Sequence, residues 1–172
     1  MTHAIVETVA TPDGPFTIVA ADDGAVLGAG WSTSVDGILA RIHAPLRPNV
    51  VTHGSLVAAD AVRAYYGGDT AAPSRVHIRQ RGTELQHAGW ARLRTVPAGE
   101  TMTYAEFAQE LGQEPGAVRA VAAVCARNSA ALFVPCHRVL RADGSLGGFA
   151  WGLEVKRSLL AHEDAAGFVS LF

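Results

Sequence analysis

The stretch TYAEFAQELGQEPGAVRAVAAVC, residues 103–125, holds two amphipathic periods separated by a break, and its reading as helix, turn, helix decides the fold of the second half of the chain. Thr103 is a hydroxyl cap, and Glu106 three residues on completes a capping box. Tyr104, Phe107, Ala108 and Leu111 then fall at i, i+3, i+4 and i+7 before Gly112 ends the helix. Pro115 suits the first turn of the next helix, along which Val118, Val121, Ala122 and Cys125 form an apolar stripe. The second helix of such a pair is the usual reader of nucleic acid. Its other side offers Ala117, Ala120 and Ala123 beside one Arg119. Small side chains let a backbone approach a groove, and a single arginine can be projected into a base stack. The alternative is an alanine-rich helix chosen for propensity.

Towards the N-terminus, Thr83 caps a further helix to Arg94, with Leu85, Trp90 and Leu93 on one face and Pro97-Ala98-Gly99 as its stop. Before that the pattern changes. A strand from Ile5, the turn Thr11-Pro12-Asp13-Gly14-Pro15, a strand Phe16 to Ala21, the turn Asp22-Asp23-Gly24 and a strand Ala25 to Trp31 predict a small antiparallel meander. Val35 to His43 and Leu56 to Tyr66 are helices, the first ended by Pro45 and Pro48 and the second by Gly67-Gly68. Ala71-Ala72-Pro73 reads as a link, and Val76 to Arg79 as a last strand. The fold class is therefore α+β. Residues 1–80 form an N-terminal lobe of small antiparallel sheet and helix, and residues 81–172 form a mostly helical, winged helix-turn-helix-like lobe.

Towards the C-terminus, Val134-Pro135-Cys136-His137-Arg138-Val139 sets a cysteine between a proline and a histidine. A thiol reacts as thiolate, so a functional Cys136 needs a base and a fixed approach. Pro135 fixes the approach. His137 is the candidate base, and Glu163 the candidate carboxylate for its other ring nitrogen, with His162 and Glu154 as alternatives. Between them, Arg141-Ala142-Asp143-Gly144-Ser145 is a turn. Gly147-Gly148-Phe149-Ala150-Trp151-Gly152 is a glycine-flanked loop whose aromatic pair could line a slot for a flat ring.

The bulk properties agree with a soluble protein. The chain has 172 residues, 49% of them hydrophobic and 17% charged, enough for a sizeable core. Two cysteines are too few for a disulfide framework, no signal-peptide pattern follows Met1, and no apolar run approaches the ~20 residues of a membrane span. A reducing cytoplasm and no membrane partner are expected. The net charge of −2 is unevenly placed, acidic up to Ser74 and basic from Arg75 onward, and thirteen of the fourteen basic residues are arginine.

Pro135-Cys136-His137-Arg138-Val139, taken with Thr101-Met102-Thr103-Tyr104, Arg119-Ala120-Val121, Asn128 and Leu159-Leu160-Ala161-His162-Glu163, resembles the O6-alkylguanine-DNA alkyltransferases, also called methylated-DNA-protein-cysteine methyltransferases. The resemblance covers nearly the whole chain. It implies that a guanine bearing an O6-alkyl group is flipped out of duplex DNA and that Cys136 takes the alkyl group once and irreversibly. It further implies His137 as water-linked base, Glu163 as its orienter and Tyr104 as donor to guanine N3. Asn128 would brace the turn between the two motifs. Arg119 would fill the gap left by the base, with Ala117, Ala120 and Ala123 facing the minor groove. The carbonyls of Cys136 and Val139 would accept from the guanine amino group, and Phe149, Ala150 and Trp151 would cover the base. Where one common version of the pattern has tyrosine and serine, this chain has Phe149 and Ala150, so a backbone donor remains at 150 and a side-chain hydroxyl does not. No cysteine precedes Cys125, so the zinc carried by some relatives is not expected here, nor is any other metal or cofactor. The expected partner is double-stranded DNA carrying O6-alkylguanine, bound by a monomer. Two competitors are a DNA-lesion sensor of the same architecture that repairs nothing, and a Cys-His hydrolase. Retained Cys136 opposes the first, and the adjacency of Cys136 and His137 opposes the second.

Overall fold

A computed structural model describes residues 2–114 and 116–163. Pro115, expected at the first turn of a helix, lies outside them. The chain parts into two compact units. The first is Met1–Arg81 with Ser129–Val134, and the second is Gly82–Asn128 with the chain from Pro135 onward. A division into 1–80 and 81–172 misses this return of residues 129–134 to the first unit.

In the first unit, β1 (His3–Val9), β2 (Phe16–Ala21) and β3 (Val26–Gly30) form the expected antiparallel meander. A fourth strand, β4 (Val50–His53), pairs parallel to β1, so the sheet is mixed, in the order β3-β2-β1-β4. Sequence reading misses β4 because Val50-Val51-Thr52-His53 is short and its side chains are half-buried or exposed, without the alternation of a half-buried strand. Helix α1 (Val35–Arg41) lies on the sheet through Ile38 and the following Ile42, which close over Gly28: a Cβ there would meet Ile42 Cγ1 at 2.9 Å. Helix α2 (Val57–Tyr66) buries Ala58, Ala59, Val62 and Tyr65. The strand expected over 76–79 shrinks to one bridge, Val26 to Ile78, with bonds from Val26 N to His77 O and from Arg79 N to Val26 O. The rest of β3's edge is taken by Ala130, whose neighbour Ser129 also donates its hydroxyl to Leu27 O at 2.8 Å.

In the second unit, α3 (Glu84–Leu93) and α4 (Tyr104–Glu110) each begin with a complete capping box, Thr83 with Gln86 and Thr103 with Glu106. Immediately before α4, β5 (Met102–Thr103) pairs parallel to β6 (Val139–Leu140). Helix α5 (Val118–Ala126) packs against both α3 and α4. Its buried residues are Val121 and Val124, while Val118, expected in the buried stripe, is 38% exposed. A helix flanked by two others buries the side between them, which turns Val118 outward. Trp90 Nε1 donates to Val124 O at 2.9 Å, a helix carbonyl reached because Gly89 lets the two helices approach. Helix α6 (Leu153–His162) ends the described chain, with Glu163 as its C-cap. Among the described residues no helix is long and apolar enough to cross a membrane.

A Cβ on Gly89 would stand 2.6 Å from Val124 Cγ1 and 3.2 Å from Phe107 Cζ. Gly89→Ala is therefore expected to lower the unfolding free energy by about 1–3 kcal/mol through overpacking, despite alanine's better helix propensity, as a urea titration will read.

Candidate active site

Cys136 opens a 3-10 turn, Cys136–Arg138, that runs directly into β6. Pro135 before it holds φ at −82°, and the Val139 N–H closes the turn on the Cys136 carbonyl. The thiol is half-buried and, among the described residues, forms no disulfide. Asn128, 3% exposed and just beyond α5, donates from Nδ2 to Cys136 Sγ at 3.3 Å, so it touches the thiol as well as closing the helix end through its N–H to Cys125 O. An amide donor on sulfur favours the ionised form over the thiol.

The next side chain, His137, is fully buried, and its Nε2 lies 2.7 Å from Glu163 Oε2. The other ring nitrogen, Nδ1, is buried and makes no hydrogen bond among the described residues. Desolvation pushes the His137 pKa down, the Glu163 carboxylate opposes that, and the Arg138 and Lys156 charges add to the fall, leaving it below the ordinary value. The imidazole is thus neutral at pH 7. With the carboxylate accepting from Nε2–H, the lone pair sits on Nδ1.

Glu163 serves a second partner. Arg138, 5% exposed, donates from Nε to Oε1 at 2.8 Å and from its terminal nitrogen to Oε2 at 3.0 Å, while its other terminal nitrogen reaches Val96 O at 2.7 Å. Burial raises the Glu163 pKa, but His137 and Arg138 together hold it well below the carboxylate range. The alternatives for this role, Glu154 and His162, are exposed. Sequence reading left Arg138 without a function: the two side chains that bind one carboxylate are neighbours, and no periodicity announces that.

Tyr104, the first residue of α4, is half-buried. Burial, followed by the Cys125 and Cys136 thiols, pushes its pKa up to about 12, so its phenol remains a proton-bearing donor at pH 7. Gly147, at φ +71°, gives the ring its space: a Cβ there would meet Tyr104 Cε2 at 3.2 Å and its hydroxyl at 3.4 Å. Phe149 is half-buried with its ring centroid 6.5 Å from that of His137, Trp151 is half-buried, and Ala150 is exposed. Val139 is buried, and its carbonyl accepts from Lys156 Nζ at 2.8 Å, a contact that sequence reading did not foresee. On α5, Arg119 and Ala123 are exposed, Ala120 is half-buried, and Ala117 is the N-cap rather than a helical residue. Among the described residues no group of three or more His, Cys, Asp or Glu side chains is placed to hold a metal ion.

The sequence profile of the "6-O-methylguanine DNA methyltransferase, DNA binding domain" matches residues 84–165, a span that contains Tyr104, Arg119, Asn128, Cys136, His137 and Glu163. The methylated-DNA–protein-cysteine methyltransferase of Mycobacterium tuberculosis is 37% identical over 160 residues, 92% of this chain and 91% of its own length. This chain belongs to the methylated-DNA–protein-cysteine methyltransferase family. Another relative, the bifunctional transcriptional activator/DNA repair enzyme Ada of Escherichia coli, is 51% identical over 91 residues; the match takes in 53% of this methyltransferase chain and a quarter of that longer protein. A crystal structure of Mycobacterium tuberculosis OGT in complex with DNA shares the methyltransferase fold at a TM-score of 0.74 and 31% identity, covering 99% of each chain.

The buried carboxylate predicts a stability signature. Glu163→Gln removes the charge that neutralises Arg138, and is expected to cost about 3–5 kcal/mol at pH 7. The folded pKa of Glu163 lies below its ordinary value of 4.5, so its contribution is complete above pH 4.5 and is lost as the pH falls towards the folded value. The gap between wild type and Glu163→Gln should therefore close progressively below pH 4.5 in urea titrations at successive pH values.

Proposed function

We propose that this chain performs direct-reversal DNA repair, in which Cys136 takes the alkyl group from the O6 atom of a guanine flipped out of duplex DNA. The observation that carries this reading is the His137 ring, whose Nε2 is bound to Glu163 and whose buried Nδ1 is left with its lone pair, in the residue next to a thiol. Nδ1 accepts the thiol proton, through a water molecule, as Asn128 supports the sulfur anion. The thiolate attacks the alkyl carbon, the sulfur–carbon bond forms, the carbon–O6 bond breaks, and its electron pair stays on the purine. Tyr104 donates to guanine N3 as that negative charge grows, and one proton, equal to the one lost by Cys136, restores neutral guanine. The product is a thioether, for which the site holds no leaving-group chemistry. Each molecule therefore acts once.

The carbonyls of Cys136 and Val139 receive the guanine amino group, each with a second lone pair beyond the bond it already accepts. Phe149 and Trp151 close over the base, and the backbone N–H of Ala150 serves O6. Arg119, exposed on the first turn of α5, enters the stack where the base leaves, with Ala117, Ala120 and Ala123 against the minor groove. A sensor of the same architecture would need none of Cys136, His137 or Glu163, whereas here a buried His137–Glu163 pair directly follows a half-buried cysteine.

Incubation with duplex DNA containing O6-methylguanine should add the mass of one methylene to a peptide containing Cys136, and Cys136→Ser should abolish the gain. An unchanged mass with intact DNA binding would establish the sensor instead. Arg119→Ala is expected to slow reaction with the duplex by on the order of tenfold or more while leaving reaction with free O6-benzylguanine nearly unchanged, since an unfilled gap costs a few kcal/mol of unstacking only when a stack exists. Single-turnover rates on the two substrates will decide, and equal losses would remove Arg119 from the gap-filling role.

A further inference from the structure

Lys156 is the chain's one lysine among thirteen arginines, and it is fully buried on α6. Its ammonium donates to two backbone carbonyls, Val139 O at 2.8 Å and Gly148 O at 3.3 Å, and among the described residues it has no carboxylate partner. The carbonyls take two of its three protons but leave its charge uncompensated, and a buried charge is costly unless an opposite charge lies near. Among the described residues the buried carboxylate of this unit is Glu163, which is already engaged by His137 and Arg138. The anion that remains is a thiolate.

Two thiols face the ammonium electrostatically, Cys125 from α5 and Cys136 from the 3-10 turn, with Arg141 after β6 and the neutral His137 as the other titratable groups around it. They are not equivalent. Burial pushes the Cys125 thiol far above the ordinary range, so it stays protonated. Cys136 is the one with an amide donor on its sulfur, it opens the turn that packs against α6, and Val139, whose N–H closes that turn, is the residue whose carbonyl Lys156 grips. We infer that Lys156 is the counter-cation of the Cys136 thiolate and the positioning residue that ties its turn to the glycine loop at Gly148. Burial lowers the Lys156 pKa to about 8, with the Cys136 thiolate opposing the fall. A lysine can follow its partner, releasing its proton once the sulfur becomes a neutral thioether, and an arginine could not.

The inference rests on Cys136 being the reactive thiol, and coupling between two charges is reciprocal: whatever Lys156 does to the Cys136 pKa, the thiolate does to the lysine's. Two titrations read it without using DNA. In Lys156→Met, the midpoint of the pH-dependent carbamidomethylation of Cys136 by iodoacetamide, followed by mass, should rise by about one unit or more, a tenfold loss of thiolate below the midpoint. In the wild-type sequence the single lysine gives a single ε-carbon resonance in a 13C-lysine-labelled sample. Its titration midpoint should fall by the same amount once Cys136 is carbamidomethylated. If Lys156→Met does not fold, the resonance measurement stands alone. Either midpoint staying in place, in folded protein, overturns the counter-ion role. Coupled midpoints in a protein that leaves O6-methylguanine untouched would instead overturn the proposed repair function and keep the charge pair.

Discussion

One carboxylate with no exposed side-chain surface, Glu163, holds the chemistry of this protein together. It binds His137 through one oxygen and Arg138 through both, so two consecutive residues of the turn after Cys136 are fixed from a single point. The arginine supplies the charge that keeps the carboxylate ionised in a dry site, and the ionised carboxylate in turn sets the histidine tautomer. Without Arg138, burial would push Glu163 towards its neutral form, which could no longer direct the imidazole. The basicity of Nδ1 is thus indirectly a property of a guanidinium whose remaining donor is held by a carbonyl, Val96 O.

Helix α5 places the other half of the arrangement. Its buried side, Val121 and Val124, is clasped by α3 and α4, and its end delivers Asn128 to the sulfur. The helix therefore presents Arg119 outward at one end and leads into the thiol's brace, Asn128, at the other. Tyr104 begins the helix that packs against α5, so the phenol and the thiol's brace are both referred to one helix pair. Small residues also position these helices and the phenol. Gly89 sets the separation of α3 and α5, and Gly147, in left-handed conformation, leaves room for the Tyr104 ring.

Much of this was legible in the sequence wherever the determinant is local. Capping at Thr83 and Thr103, the turns at Asp13-Gly14 and Asp23-Gly24, and the break at Gly112 need only neighbours within four residues. Glu163 could be named as a candidate because a histidine base calls for a carboxylate. What stayed hidden depends on partners distant in sequence. Strand β4 exists because β1, 47 residues earlier at its first pair, offers an edge; Val118 turns outward because α3 and α4 occupy the other side; and Lys156 is buried among carbonyls that no composition rule can foresee. The singular lysine was a signal in plain view, since it breaks an otherwise complete preference for arginine.

The return of Ser129–Val134 to the first unit means that the division between the units crosses the chain three times, after Arg81, after Asn128 and after Val134. The last two crossings lie between the thiol's brace and the thiol. The borrowed segment is apolar and buried throughout Ala130 to Val134. The C-terminal half is consequently no transplantable cassette: a chimera joined at 81/82 would carry six residues of one parent into the sheet edge of the other. Inheritance of the two units is bound together by that edge, and exchange between relatives is constrained to partners whose β3 accepts the same segment.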